Sequence, residues 1–149
     1  MFKNILVPID IAQPSSWRQA IPQAIELAAA SNGVATIVTV VRDLKAAFEG
    51  AHFPLQVELM TSKACGRLTE IVAEYRDRKV ALSEEVRFGS IGREILQTAR
   101  ERKTDLIVMA SHRPELKDYL IGPNAAYVAQ HATCSVLVLR SAQDQQTGG

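Results

Sequence analysis

Three side chains with affinity for anions follow one another in this chain: Ser111, His112 and Arg113. A hydroxyl, an imidazole and a guanidinium suit phosphate oxygens, the guanidinium in two-pronged fashion. Further on, Gly122-Pro123-Asn124-Ala125 reads as a helix start, with proline at the first helical position, where its missing N–H costs little. The N–H groups of Asn124 and Ala125 then point out at the positive end of the helix dipole, ready for a phosphate. Asp10 closes an apolar run, where a ribose hydroxyl or a metal-bound phosphate would be met. No catalytic pattern accompanies these residues. Asp10 has no second acid beside it, and there is no Ser-His-Asp spacing and no H-E-x-x-H. His52, His112 and His131 are scattered, so a metal site built by the protein alone is not expected. Neither G-x-x-x-x-G-K-[ST] nor G-x-G-x-x-G occurs, against a P-loop enzyme and a dinucleotide dehydrogenase.

These residues need a scaffold, and hydrophobic periodicity supplies one. Lys3–Pro8, Val34–Val41, Leu106–Met109 and Val136–Leu139 are nearly continuous apolar, β-branched runs, as expected of strands buried on both faces. Ser83–Phe88 is a weaker strand whose charges suit an edge. Helical spacing predicts a first helix over Trp17–Ala30, with Gln13-Pro-Ser-Ser16 supplying turn residues and an N-cap candidate and Asn32-Gly33 as its stop. A long helix follows from about Leu55 to Asp77, with Leu59, Leu68, Ile71 and Val72 as core candidates and Gly66 as a weak point. Ser90 is placed to cap a third helix running to about Lys103, with Ile95, Leu96 and Ala99 inward, and a fourth ends near His131. This strict alternation predicts an α/β fold, a doubly wound five-stranded parallel sheet with helices on both faces. If the sheet reverses after the third strand, a crevice opens between strands one and four, and Pro8–Asp10 faces Ala110–Asn124 across it.

The totals agree with one domain. The chain has 149 residues, 47% hydrophobic, with 17 Lys and Arg against 16 Asp and Glu. That balance predicts no nucleic-acid partner, and no apolar run approaches a membrane span. The start, Met1-Phe-Lys-Asn-Ile, carries no leader signature. Cys65 and Cys134 lack metal or disulfide spacing and are expected to be buried as small hydrophobes, which suits a reducing cytoplasm. Residues 1–140 form the expected domain, and 141–149 a polar, disordered tail.

Asn4-Ile-Leu-Val-Pro-Ile-Asp10, Val86-Arg-Phe-Gly89, Asp105-Leu-Ile-Val-Met109 and His131-Ala-Thr-Cys-Ser-Val-Leu-Val-Leu-Arg140 together resemble the universal stress protein family over nearly all of residues 1–140. ATP-binding members carry G-x2-G-x9-G-[ST]. Here Ala110 and Arg113 replace the first two glycines, Gly122 comes one residue early, and Pro123 replaces the hydroxyl residue. Ser111-His-Arg-Pro114 with Gly122-Pro-Asn-Ala125 is instead similar to a subgroup with a Ser-His-Arg-Pro loop that looks ATP-binding. The resemblance implies ATP, with Mg2+ carried by its phosphates. Pro8 and Asp10 would border the adenosine, with Asp10 at the ribose, and Val40 would offer backbone groups to the adenine edge. Ala110, Arg113, Gly122, Pro123 and Asn124 would surround the phosphates. With their neighbours, the candidate binding residues are Pro8, Ile9, Asp10, Val40, Met109, Ala110, Ser111, His112, Arg113, Gly122, Pro123, Asn124 and Ala125. The family also implies a homodimer paired through Val136–Leu139, a regulatory protein partner and little or no turnover. The competing expectations are a nucleotide-free dimeric interaction protein and a slow ATPase. A phosphoacceptor domain of the same architecture would need acids that Ile9-Asp10 and Phe88-Gly89 do not supply.

Overall fold

The computed structural model describes residues 1–42, 53–76, 79–111 and 122–140. Strands β1 (Asn4–Ile9), β2 (Val34–Arg42), β3 (Leu82–Gly89), β4 (Leu106–Ala110) and β5 (Ser135–Leu139) alternate with helices α1 (Ala20–Ala30), α2 (Phe53–Ala73), α3 (Ile91–Glu101) and α4 (Pro123–His131). The strands form one sheet in the order β3-β2-β1-β4-β5, every pair parallel. The chain thus winds outward from β1 to one edge, returns to β4 and winds outward to the other. The reversal lies between β1 and β4, as the sequence predicts.

The apolar runs are continuous because both faces are covered. Odd positions of β1 (Ile5, Val7, Ile9) pack with Ile21, Ala24 and Ile25 of α1 and Leu68, Ile71 and Val72 of α2. Leu6 joins Val38 and Ile107 on the other face, beneath Ile95 and Leu96 of α3 and Val128 of α4. Leu6 and Val7 have no solvent exposure, so adjacent residues of the central strand feed two separate cores.

Several expectations change. The first helix starts at Ala20 rather than Trp17, because a 3-10 turn at Pro14–Ser16 precedes it. Ser16 caps no helix; its hydroxyl is turned back onto Asp10. Ser90 makes no side-chain cap, and its backbone carbonyl accepts the Glu94 N–H. Leu59 and Cys65 are exposed, because the inward stripe of α2 runs through Ala64, Leu68, Ile71 and Val72. Cys134 is half-buried beside α4, and burial pushes its thiol pKa up. Gly66 lies on the open face of α2, where the helix continues through it. Asp77, His52 and the tail at 141–149 lie outside the described residues.

Two helices end in the same way. The N–H of Gly33 donates to Ala28 O (2.7 Å) and that of Asn32 to Ala29 O, with Asn32 left-handed at φ 52°. In α3, Thr104 N–H reaches Ala99 O (2.9 Å) and Lys103 is left-handed at φ 54°. Both satisfy the last carbonyls in the Schellman manner. Gly33 serves a different need: a Cβ there would lie 2.7 Å from the Lys3 Cα, so only glycine lets β2 start against β1.

Candidate functional site

The switch point opens into a cavity of about 690 Å³. Its floor is the carboxyl ends of β1, β2 and β4, and its walls come from both faces of the sheet. Pro8, Ile9, Asp10, Val40, Met109, Ala110, Ser111, Gly122, Asn124 and Ala125 all line it. Ten of the candidate residues, distant in sequence, are therefore brought together. Pro123 is exposed and not part of the wall; its contribution is the first helical position, where it withholds no needed N–H. His112 and Arg113 lie outside the described residues.

Asp10 is set by the turn that follows it. Its N–H donates to Ser16 Oγ (2.9 Å), and the Ser16 hydroxyl donates to its carbonyl (3.0 Å). The Ala12 N–H donates to Oδ1 (2.9 Å), an Asx turn that fixes the carboxylate at the cavity mouth. Oδ2 has no partner among the described residues.

The strand register leaves a second feature. Val34 N–H donates to Lys3 O, and Ala35 N–H to Ala81 O. Even-numbered residues of β2 therefore present their backbone to β1, and odd-numbered residues to β3. The ladder with β1 stops at Ile9↔Thr39, while that with β3 continues to Arg42↔Gly89. By this parity the Val40 carbonyl and the Arg42 N–H face the crevice beyond the last β1 partner. Thr39 Oγ1 donates to Ile9 O (2.9 Å) and locks the two strands at that point. An acceptor followed by a donor on one strand edge suits a planar heterocycle with the reverse pattern. The side chains beneath are apolar on the α3 side: Val38, Val40, Met109, Ile91 and Ile95.

Across the crevice α4 begins at Gly122, and the first N–H with an intrahelical acceptor is that of Ala126, on Gly122 O (2.9 Å). The N–H groups of Asn124 and Ala125 precede it and point out of the helix at its positive end. Ser111 behaves differently from the expectation of a phosphate donor. Its N–H (2.9 Å) and its hydroxyl (3.2 Å) both donate to Leu139 O, tying the end of β4 to the end of β5. On the β4 and α4 side of the crevice, the donors that Ser111 leaves for an anion are therefore the backbone groups at the start of α4.

Met60, Lys63 and Ala64 of α2, Arg42 of β2, and Ile91 and Ile95 of α3 complete the walls. No motif singles them out. The signal for α2 was helical phase, since positions 60, 63 and 64 share one face. Arg42 lies three residues past Thr39, the last residue of β2 that β1 pairs with. Among the described residues no group of three or more His, Cys, Asp or Glu is placed to hold a metal. No described helix is long and apolar enough to cross a membrane.

The model of the Universal stress protein family matches residues 1–140. Universal stress protein G of Escherichia coli O157:H7 is 30% identical over 144 residues, covering 94% of this chain and 100% of the relative. The structure of universal stress protein UspA from Lactobacillus plantarum superposes with a TM-score of 0.76 at 24% identity, covering 93% of this chain and 98% of that one. A universal stress protein in complex with cAMP gives 0.62 at 24% identity, covering 95% and 98%. A universal stress protein family protein from Arabidopsis thaliana with AMP bound gives 0.64 at 16% identity, covering 95% and 94%. At these identities the structures speak for the fold alone.

Proposed function

The chain belongs to the universal stress protein family, and from that premise we propose that its switch-point crevice binds an adenine nucleotide, ATP with its magnesium, as the input of a cytoplasmic stress-response regulator. The observation that carries this reading is the pairing of two backbone features across one cavity. On one side stand the Val40 carbonyl and the Arg42 N–H, beyond the end of the β1 ladder. An adenine N6 amino group would donate to the first, and N1 would accept from the second. On the other side the start of α4 offers the N–H groups of Asn124 and Ala125 to the phosphates. Asp10, between them, is an acceptor for ribose hydroxyls. The residues present thus fit the group. Magnesium arrives bridging phosphate oxygens and needs no dedicated protein cage. The cAMP and AMP complexes of fold relatives support a nucleotide of this class.

Binding, rather than turnover, is the output of this reading. Asp10 is the sole acid among the described residues of the wall, and it is engaged by its own turn. The ligand orders the crevice, and copies of the chain pair through the β5 edge for a regulatory protein partner to read. A nucleotide-free dimer is the second reading, favoured by the commitment of both Ser111 donors to Leu139.

The test is to denature the purified protein and run the supernatant on anion exchange, then titrate stripped protein with ATP and magnesium. Stoichiometric adenine nucleotide, or a melting temperature that climbs with added ATP, is expected. At a hundredfold excess over Kd the stabilisation is about 2.7 kcal/mol. A protein that is empty and whose melting is indifferent to millimolar ATP belongs to the second reading.

A further inference from the structure

Among the described residues, the charged side chains lining the cavity are Asp10, Arg42 and Lys63. The two cations enter from opposite faces. Arg42, two residues beyond Val40 on β2, shares by strand alternation the face covered by α3 and α4. Lys63 comes from α2, which packs on the other face. Neither forms an ion pair among the described residues, whereas Arg67, Arg76, Arg87 and Arg102 each reach a carboxylate. Among the described residues of the wall, two cations thus stand against the one carboxylate of Asp10. The start of α4 adds a further partial positive charge, roughly half a unit. We propose that Arg42 and Lys63 set the preference of the crevice for the more highly charged members of the adenine nucleotide series. This rests on the adenine-nucleotide reading of the same cavity and goes beyond it, since no motif in the chain assigns either residue a role.

The spacing of the sheet brings a phosphate over the crevice within reach of charge on β2. Neighbouring strands lie about 4.8 Å apart, so β4 and β2, with β1 between them, are separated by roughly 10 Å. The screening length at 0.1–0.15 M salt is about 8–10 Å. A phosphate held over the crevice near β4 therefore lies within about a screening length of the end of β2 that carries Arg42, and a longer phosphate chain folded back over the cavity comes closer to the wall that Arg42 and Lys63 share. The Pro123 position lacks a hydroxyl, so charge supplied from β2 and α2 substitutes for a hydrogen bond that α4 does not offer. A lone adenosine gains nothing from this field. The two cations thus act on the number of phosphates rather than on the base.

The experiment is calorimetric titration of adenosine, AMP, ADP and ATP, without magnesium, into the wild-type protein and into an R42Q/K63Q variant, at 50 mM and 200 mM salt. Both substituted side chains are exposed, so the variant keeps its fold, which its melting temperature verifies. Wild-type affinity should rise along the series, and the ATP-to-adenosine affinity ratio should fall about 10-fold in the variant, equivalent to about 1.4 kcal/mol. The salt dependence of ATP binding should become shallower. Equal losses for adenosine and ATP would mean that these residues shape the base pocket, and the inference would fall. It would fall equally if the variant kept the wild-type ratio, or if wild-type protein bound adenosine as tightly as ATP, while the adenine reading survived. Wild-type protein that bound none of the four would remove both.

Discussion

The two edges of the sheet are built on opposite plans. β3 is laced with charge on both of its faces. Arg87 reaches Glu85 (3.3 Å), Glu94 (3.1 Å) and Glu101 (2.7 Å), and Arg102 reaches Glu85 (2.8 Å) and Thr36 Oγ1 (3.3 Å). Towards α2, Arg76 holds Glu84 (3.0 Å) and the Leu82 carbonyl (2.8 Å), and the Thr69 hydroxyl donates to Glu84. The partners lie on α2, α3 and β2 and in the turns that end the two helices, so the edge is strapped to the elements around it. Among the described residues, β5 has none of this. Val136, Leu137, Val138 and Leu139 are uncharged and only half-buried, and the strand pairs with β4 alone. Charged, covered edges resist pairing with another chain, and short apolar edges invite it. The contrast teaches where a second copy would dock. One edge is closed, and the other carries the apolar surface that the proposed dimer needs.

The sharpest way to break the contrast is at β5. Ser111 N–H donates to Leu139 O, so Leu139 turns its backbone towards β4, and by alternation Val138 and Val136 turn theirs outward. Val138→Pro removes an outward donor while leaving the β4 ladder its bonds. If copies pair through this edge, the substitution should weaken dimerisation by at least about 100-fold, roughly 2.7 kcal/mol. Light scattering across a dilution series reads this directly. A variant that stays dimeric places the interface elsewhere. The next effect belongs to β3. Arg87→Met leaves Glu85, Glu94 and Glu101 without their common cation, and the Arg87 side chain is only 19% exposed. Stranding charges in a partly desolvated site should cost about 2 kcal/mol, less than for a fully buried pair. Urea unfolding should show the loss, and the melting temperature should drop by roughly 4–8 °C. An unchanged midpoint would reduce the network to surface decoration.

Much of this plan was legible in the chain. The four apolar runs, the edge character of charged β3 and the α4 start at Gly122-Pro123 follow from local chemistry, and a reversal after the third strand places the crevice between β1 and β4. What escaped depends on contacts made only in three dimensions. Lys103 ends α3 in a left-handed conformation without a glycine to announce it, so the helix stops two residues before its apolar pattern suggests. The stripe of α2 passes beside Leu59 and Cys65 rather than through them, a phase that depends on how the helix docks. Ser111 reads as an anion ligand from its place after β4, yet its hydroxyl serves the neighbouring strand. Arg42 and Lys63 carry no motif; helical phase groups Lys63 with Met60 and Ala64, but only the folded register shows that β2 outruns β1 and that this turn of α2 overhangs the crevice.

The smallest expected effect is on the acid side, and it again separates the two edges. The Arg87 guanidinium, then Gln97, hold the Glu101 carboxyl below its ordinary value, while Glu101 foremost raises Arg87 further above its own. Arg87 stays charged throughout the working range and creates no pH window. Glu101 does. A carboxyl depressed in the folded state contributes stability that is present above its unfolded pKa, about 4.3, and is lost as pH falls through the folded value. Unfolding midpoints measured from pH 6 down to pH 3 should therefore decline partly through this residue, and Glu101→Gln should flatten that part of the decline while lowering stability slightly at pH 7. Because Glu101 is solvent-exposed, high salt should shrink the difference between wild type and variant. Substitution at β5 should leave the acid limb of the monomer alone, since no carboxylate lies between Ser135 and Leu139. If Glu101→Gln left the acid limb as steep as before, the lowered Glu101 carboxyl would not be a source of the loss in acid.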